Sequence, residues 1–166
     1  MSTTGTTLAL WRKLAKLPLG TRIFSWGVSW RAPYFRTIRP HITELRPGYC
    51  EVHAAKRRRV HNHIGTFHAI AACNMAEVAA GVLTEASIPT THRWIPTGMT
   101  VRYVAKAATD LRAVAELDPL PAADDTARDW VVPVRILDTA DKTVVTADIT
   151  MRVSPRKSRT TAAKTS

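Results

Sequence analysis

The pattern of apolar and polar residues divides the chain into an N-terminal helical part, one long apolar helix and a series of strands. Two short amphipathic helices are predicted over residues 7–17 and 21–31. Leucines recur at helical spacing in the first, and Ile23, Trp26 and Trp30 form a similar stripe in the second. We expect these helices to pack as a lid on the main domain; the alternative is contact with a membrane surface.

After the second helix the apolar residues alternate with polar ones, which is typical of strands. The stretch ITELRPGYCEVHAA predicts two strands joined by a turn at Pro47-Gly48. One long apolar helix is predicted over residues 66–85, ended by Ser87 and Pro89. Four strands are predicted to follow it, at residues 99–107, 110–117, 130–137 and 143–153.

Two details of the later strands extend this prediction. Pro133 lacks a backbone N–H, so it predicts an edge position or a bulge. Alternation in the first of the four strands places a set of apolar side chains on one face. That set is Met99, Val101, Tyr103 and Ala105.

This order of elements predicts an α+β fold, an antiparallel sheet of about six strands wrapped around one long central helix. A helix that is apolar on nearly all sides must be covered all round, so we expect a second subunit to seal what the sheet leaves open. The predicted organisation is N-terminal amphipathic helices at 1–34, the α+β domain at 35–154 and a basic disordered tail at 155–166.

Charge is unevenly distributed along the 166 residues, which carry a net charge of +11. Residues 1–43 contain seven Arg or Lys and no acid, so that Glu44 is the first carboxylate, and the last twelve residues add four more positive charges. Such segments attract anions: phosphorylated cofactors, nucleic acid or acidic lipid. The alternative is a solvated arm and tail.

The two cysteines, Cys50 and Cys73, lie on segments that are predicted to be buried. They imply no disulfide framework, and we expect a reducing, cytoplasmic compartment. The acid-free, hydroxyl-rich N-terminus is also typical of an organellar targeting segment. The sequence contains no run of 18 purely apolar residues, so a transmembrane span is not predicted.

Polar residues interrupt the long apolar helix, among them His68, Asn74 and Glu77. An ionised carboxylate in an apolar helix costs several kcal/mol unless it is paired or used. Glu77 is therefore a candidate catalytic group, and the alternative is a structural ion pair with Arg93 or Arg102. Asn74 is predicted to be a buried hydrogen-bonding residue at the subunit interface.

The triplet HNH at residues 61–63 suggests two other interpretations. A metal site would need further ligands, for which His53, His68 and Glu77 are available, but no CxxC or HExxH spacing supports one. A nuclease of the HNH kind would need a ββα-metal context, which is not predicted here. We therefore predict neither a metal site nor a cofactor.

The segment 61–81, in this order of elements, resembles the acyl-CoA thioesterase branch of the hotdog fold. Members related to the phenylacetate-pathway thioesterases carry N-x-x-G-[TS]-x-H-G-G, followed by an acid nine residues after the His. Asn62, Gly65, Thr66 and His68 match in register, with Glu77 as the acid. The block from residue 62 to Ala107 further resembles a hotdog subfamily described as a domain of unknown function.

The resemblance implies hydrolysis of an acyl-CoA or acyl-carrier thioester in a homodimer or a dimer of dimers. Glu77 would be the nucleophile or general base, the Ala69 amide the oxyanion donor, and Asn62 a holder of the carbonyl or the water. Eight helical residues span about 12 Å, too far for Ala69 and Glu77 of one chain to grip one carbonyl. Helices packed antiparallel would bring them together across a dimer.

The remaining candidates bind substrate in this prediction. Gly65 and His68 belong to the motif, and His68 is expected to be a packing histidine rather than a catalyst. Ile70 replaces the second glycine and adds bulk where the acyl chain would approach. Thr97 and Thr100 stand nearest to a Ser or Thr that assists the carboxylate in relatives. The basic groups available for the coenzyme A phosphates are Arg102 and Lys106, with Lys56, Arg57, Arg58 and Arg59 before the site.

Other functions remain open at this point. Ala69-Ile70 in place of two glycines favours a non-catalytic protein that binds acyl-CoA or a fatty ligand. A hydratase is disfavoured because a D-x-N-x-x-H-type loop is absent from the sequence. Specific nucleic-acid binding lacks an aromatic or helix-turn-helix pattern, whereas membrane-surface contact through the N-terminal helices remains an alternative.

Overall fold

The long apolar helix predicted from the sequence lies at the centre of the fold, enclosed by one sheet. The computed structural model describes residues 5–156, so the predicted basic tail lies almost wholly outside the described residues. The helices are α1 (Thr6–Leu14), α2 (Gly20–Arg31) and α3 (Ala69–Ser87), with short 3-10 turns at Pro33–Thr37 and Arg58–Val60. The strands are β1 (His41–Arg46), β2 (Tyr49–Ala54), β3 (His92–Tyr103), β4 (Leu111–Glu116), β5 (Arg128–Leu137) and β6 (Thr143–Pro155).

The six strands form one sheet in the order β1-β2-β4-β5-β6-β3, and every neighbouring pair is antiparallel. The predicted turn at Pro47-Gly48 joins β1 to β2. The sheet curves round α3, which contacts all six strands. The predicted architecture, one helix wrapped by a six-stranded antiparallel sheet, is confirmed.

Burial explains why α3 tolerates so apolar a sequence. By length and mean hydropathy it is the one helix within residues 5–156 that would suit a membrane, yet 67% of its apolar window is buried inside the fold. The side chains that close the core from both layers are fully inaccessible. They include Met75, Val78 and Leu83 of α3 and Val52, Val132 and Ile149 of the sheet.

Strand β3 differs from its prediction in length and in exposure. It begins at His92, seven residues before the predicted start, and within residues 5–156 it pairs only with β6, which leaves its other edge without a partner there. Met99 and Tyr103, predicted to share an apolar face with Val101, are 37% and 53% exposed. Residues 5–156 do not fully cover the apolar face that the alternation of β3 predicts.

Pro133 lies on β5, which is an interior strand in the sheet order. Pairing of β5 with β4 nevertheless ends at Val134, whereas pairing with β6 continues through Pro133. At Pro133 the strand therefore has a neighbour on one side only. The predicted edge position is confirmed locally, although not for the strand as a whole.

Helix α2 packs on the domain with the opposite face from the one predicted, whereas Leu8 and Trp11 of α1 are buried. The stripe of Ile23, Trp26 and Trp30 is exposed at 54%, 67% and 70%. Helix α2 instead turns small residues toward β1, where Ser25 Oγ accepts a hydrogen bond of 2.8 Å from the Ile42 N–H. Small side chains allow this close approach, which the bulky stripe would prevent.

Helix α3 is held against the edge of the sheet by contacts of Glu85 and Gly81 with Trp94 of β3. Glu85 accepts hydrogen bonds from Thr7 Oγ1 of α1 at 3.3 Å and from the Trp94 indole of β3 at 2.6 Å. A Cβ placed on Gly81 would lie 2.8 Å from the same indole ring. Gly81 is therefore required by the close approach of α3 to Trp94.

We expect Gly81→Ala to lower the free energy of unfolding, measured by urea titration. Overpacking of this kind costs about 1–3 kcal/mol, more than the roughly 1 kcal/mol that Ala gains over Gly within a helix. The matched control is Gly27→Ala in α2, where an added Cβ meets nothing within 4 Å and stability should rise. Equal effects of the two substitutions would contradict the packing at Trp94.

Candidate active site at the start of the central helix

The loop before α3 is held at both of its ends. His61 and Phe67 form an isolated antiparallel bridge. The His68 N–H donates to the Val60 carbonyl at 2.7 Å, and the Phe67 N–H donates to the Ala107 carbonyl at 2.8 Å. Gly65 has φ +76°, a conformation that L side chains rarely adopt. This loop fixes the direction from which the chain enters α3.

Asn62 is the centre of the loop's hydrogen bonds. Its Oδ1 accepts from the N–H groups of Ile64 (3.1 Å) and Thr66 (3.0 Å), and its Nδ2 donates to Thr66 Oγ1 at 2.7 Å. The side-chain amide is therefore occupied by its own loop, an arrangement typical of an Asx turn. The geometry favours a shaping role for Asn62 over contact with a substrate.

His68 caps the N-terminus of α3. Its Nδ1 accepts a hydrogen bond of 3.1 Å from the Ile70 N–H. The prediction that His68 packs in the core is therefore wrong. The side chain is exposed, and its ring nitrogen caps the helix. The Ala69 N–H, at the first helical position, donates to no described residue. This N–H is available to an oxyanion, because the first N–H groups of a helix have no acceptor within the helix.

A cavity of about 300 Å³ opens beside this first turn. Two polar atoms of its lining residues, Asn74 Oδ1 and His61 Nε2, are buried without a hydrogen-bond partner among the described residues. Buried polar atoms normally have a partner, which an ordered water or a ligand in the cavity can supply. The lining comprises Tyr34, Thr37, Arg59, Val60, His61, His68, Ile70, Ala71 and Asn74.

Asn74 links the cavity to the N-terminal segment. It is only 4% exposed, and its Nδ2 donates to Thr37 Oγ1 at 2.9 Å and to the Tyr34 carbonyl at 3.3 Å. The prediction of a buried hydrogen-bonding residue is confirmed. Its partners lie in the Pro33–Thr37 turn of the same chain, whereas the predicted interface role stays a prediction.

Glu77 lies on the side of α3 that faces the edge strand. Four residues before it, Cys73 Sγ is 3.1 Å from the Tyr103 hydroxyl, and four residues after it Gly81 meets Trp94. Glu77 is half-buried and forms no hydrogen bond or ion pair with the described residues, and Arg93 instead donates to Ser154 Oγ. The alternative of a structural ion pair with Arg93 or Arg102 is therefore wrong for residues 5–156.

The hydroxyl of Tyr103, which is hydrogen-bonded to Cys73, stays protonated at neutral pH. The hydrogen bond with the Cys73 sulfur, and to a smaller extent burial, raises the pKa of Tyr103 to about 12. Tyr103 therefore adds no negative charge beside Glu77 at neutral pH. Both cysteines are free thiols; Cys50 is fully buried, as predicted, whereas Cys73 is only partly covered.

The other predicted substrate-binding residues lie apart from the cavity. Thr97, Thr100 and Arg102 are exposed on β3, and Lys106 is exposed after it. Thr97 Oγ1 donates to the Thr150 carbonyl at 3.3 Å. Ile70 does line the cavity and is 54% exposed. Within one chain, the structure brings Ile70 and His68 to the cavity. The other predicted site residues lie outside its lining: Asn62, Gly65, Ala69, Glu77 and the residues of β3.

The sequence model of a family described as a domain of unknown function, DUF4442, matches residues 20–153. The match includes α2 and all six strands. The chain belongs to this family. A search of curated proteins finds no match.

Solved structures place the fold in a known class. A protein designated genomics APC5556 is 48% identical, with a TM-score of 0.78, over 90% of this chain and 99% of that one. The thioesterase SAV0944 of Staphylococcus aureus is 17% identical, with a TM-score of 0.66, over 74% and 99% of the chains. The thioesterase HI1161 of Haemophilus influenzae is 12% identical, with a TM-score of 0.67, over 76% and 86%. The predicted hotdog fold is confirmed.

Sequence reasoning missed much of the cavity wall. Tyr34 and Thr37 lie in a turn for which the sequence predicts no element, and the HNH triplet that contains His61 suggests only a metal site or a nuclease. No group of three or more side chains suited to a metal lies together within residues 5–156. The signal that was present is the polarity of Asn74 in an apolar helix, because a buried amide needs partners.

We expect Asn62→Ala to destabilise the protein by about 1–2 kcal/mol, because it leaves the N–H groups of Ile64 and Thr66 without their acceptor. Asn62→Asp keeps an acceptor for both and should lose less than half as much. Thermal unfolding of the two variants at one pH measures the difference. Equal losses would show that the loop does not depend on these bonds.

Proposed function

We propose that the protein hydrolyses an acyl-CoA-type thioester at a site shared by two subunits. The observation that carries this proposal is a half-buried carboxylate, Glu77, on the same helix as the N-terminal amide of Ala69, both without a partner among residues 5–156. A partly buried carboxylate without a partner is costly, and such groups are concentrated at functional sites. Several proteins of this fold, SAV0944 and HI1161 among them, are thioesterases.

The chemistry requires a base and an oxyanion donor on either side of one carbonyl. Glu77 accepts a proton from water as the water oxygen attacks the thioester carbon. The Ala69 N–H, assisted by the dipole of α3, stabilises the negative charge on the carbonyl oxygen. The C–S bond then breaks, the thiolate takes up a proton, and the acid product leaves. Attack by Glu77 itself, through an anhydride that water then hydrolyses, uses the same groups.

A second subunit is needed because of distance. Ala69 and Glu77 are separated by eight helical residues, about 12 Å. Two copies of α3 packed antiparallel bring Glu77 of one to Ala69 of the other. The strand β3 supports such packing, because one of its edges has no partner in the described part of the chain and Ile95, Met99 and Tyr103 are 61%, 37% and 53% exposed on it. Exposed edges of this length are normally covered.

A non-catalytic acyl-ligand binding protein is the second candidate. Two observations favour it: Ile70 lines the cavity at the position where the resembling thioesterase motif has glycine, and the Asn62 side-chain amide is hydrogen-bonded within its own loop. In this alternative the cavity binds a thioester that is never cleaved. Binding without turnover, unaffected by loss of the Glu77 charge, distinguishes it.

We expect Glu77→Gln to reduce thiol release from acyl-CoA substrates by about 10²–10⁴-fold, the usual contribution of a positioned base. The panel should include short, medium, long and aromatic acyl groups. Glu116→Gln, the same change at an exposed carboxylate of β4, should leave the rate unchanged. Equal rates in wild type and Glu77→Gln, at equal folding and oligomer size, would exclude Glu77 as the base.

The shared site has a separate test in Ala69→Pro. Proline suits the first helical position, and His68 before it already has φ −68° and ψ 137°, which a residue preceding proline prefers. The substitution therefore removes the N–H with little effect on folding and should reduce turnover by about 10²–10³-fold.

Subunit mixing then decides where the site lies. Heterodimers of Ala69→Pro with Glu77→Gln carry one site with both defects and one with neither. An equimolar mixture, co-refolded, should recover about a quarter of wild-type activity if the sites are shared in a twofold dimer. No recovery in verified heterodimers would place both groups of a site in one subunit.

A further inference from the structure

A second concave region lies between α2, the Pro33–Thr37 turn and the segment before Val60. Its volume is about 410 Å³, within the range of small-molecule sites. Three separate parts of the chain converge on it, and each contributes arginine. We name it the arginine cleft, after its residues Arg22, Arg36, Arg39, Arg57 and Arg59.

The charges of the arginine cleft are uncompensated. None of its lining residues is acidic, and none of the five guanidinium groups forms a hydrogen bond or ion pair with residues 5–156. Other arginines of the chain are paired: Arg112 with Glu51 and Asp141, and Arg152 with Asp129. Like charges held together in a concavity repel one another, so an anionic ligand would stabilise this arrangement.

The uncharged lining also suits a phosphorylated ligand. Ser29 is 6% exposed, and its hydroxyl has no hydrogen-bond partner among the described residues. Trp26 presents an aromatic face that is 67% exposed. His41 lines the cleft with its pKa lowered by burial and then by the nearby Arg22 charge. The cleft thus combines charge, a free hydroxyl and a stacking surface.

The arginine cleft adjoins the cavity at the start of α3, because Arg59 lines both. A ligand with phosphates at one end and a thioester at the other would fit this pair of sites. We propose that the arginine cleft binds the pyrophosphate and 3′-phosphate of a coenzyme A carrier, while the thioester arm passes Arg59 toward Ala69. This inference rests on the proposed function and adds the carrier and its site.

A concave site favours a compact polyphosphate over a lipid surface. Lipid headgroups are met by basic residues spread over one outer face, whereas here the arginines from three segments surround a pocket. Bidentate donation by guanidinium suits phosphate oxygens. The exposed Trp26 and Trp30 nevertheless make anionic lipid the competing source of phosphate, which the experiment must separate.

The experiment is isothermal titration of the full-length protein with coenzyme A and with adenosine 3′,5′-bisphosphate. Neither contains a thioester, so binding is measured whether or not the protein hydrolyses one. Arg36→Gln/Arg57→Gln removes two exposed guanidinium groups of the cleft. We expect about 100-fold or greater loss of affinity for coenzyme A, since each charged hydrogen-bonding group contributes about tenfold or more.

The matched control is Arg93→Gln/Arg135→Gln, which removes two exposed charges from β3 and β5. Its affinity for coenzyme A should equal that of wild type. Equal loss in both double variants, or none in Arg36→Gln/Arg57→Gln, would overturn the assignment of the cleft. The assignment would also be overturned if neither nucleotide bound and the protein instead bound phosphatidylglycerol vesicles in an arginine-dependent way. Arginine-dependent coenzyme A binding without turnover would uphold the cleft and reject hydrolysis.

Discussion

The covering of α3 is the constraint on which the rest of the structure depends. A 19-residue helix with apolar side chains on nearly every side has no stable place at a surface. One sheet of six strands surrounds most of it, and the exception is the seam along β3, where the sheet ends. Cys73, Glu77 and Gly81 face that seam. The helix can carry a carboxylate because residues 5–156 leave this side only partly covered.

The same constraint separates the two groups that the proposed reaction needs. The first turn of α3 lies beside the cavity bounded by the Pro33–Thr37 turn, whereas Glu77 lies two turns further along, near the seam. A single copy would therefore hold the two halves of the proposed site at different places along one helix. Twofold symmetry about the seam is the simplest operation that joins them. Oligomer formation and chemistry would then depend on the same surface.

The sequence predicts the fold well because its signals are local and consistent. The period-two runs, the Pro47-Gly48 turn and the apolar helix each indicate an element that forms, and their order leaves few arrangements. Errors arise where tertiary packing decides the outcome. The stripe of Ile23, Trp26 and Trp30 predicts a buried face, but α2 approaches β1 through Ser25 and Ser29. Small polar residues give no periodic signal of such contacts.

The site is less predictable than the fold, for physical reasons. The roles of Asn62 and His68 depend on which backbone N–H groups come within reach, which spacing alone does not determine. The arginine cleft joins residues 22, 36, 39, 57 and 59, which no linear motif connects. Its signals in the sequence are the absence of acid before Glu44 and the basic run that contains Arg57 and Arg59. These signals indicate an anion partner but give neither the shape nor the position of the site.

The contact between Gly81 and Trp94 has a consequence for how this sequence varies in evolution. A side chain at position 81 and a full indole at position 94 exclude each other at the observed spacing of α3 and β3. The two positions are therefore expected to change together among relatives, with a smaller residue at 94 wherever 81 gains a Cβ. Relatives that keep the Gly–Trp pair would share the helix-to-edge distance, and with it the geometry of the seam.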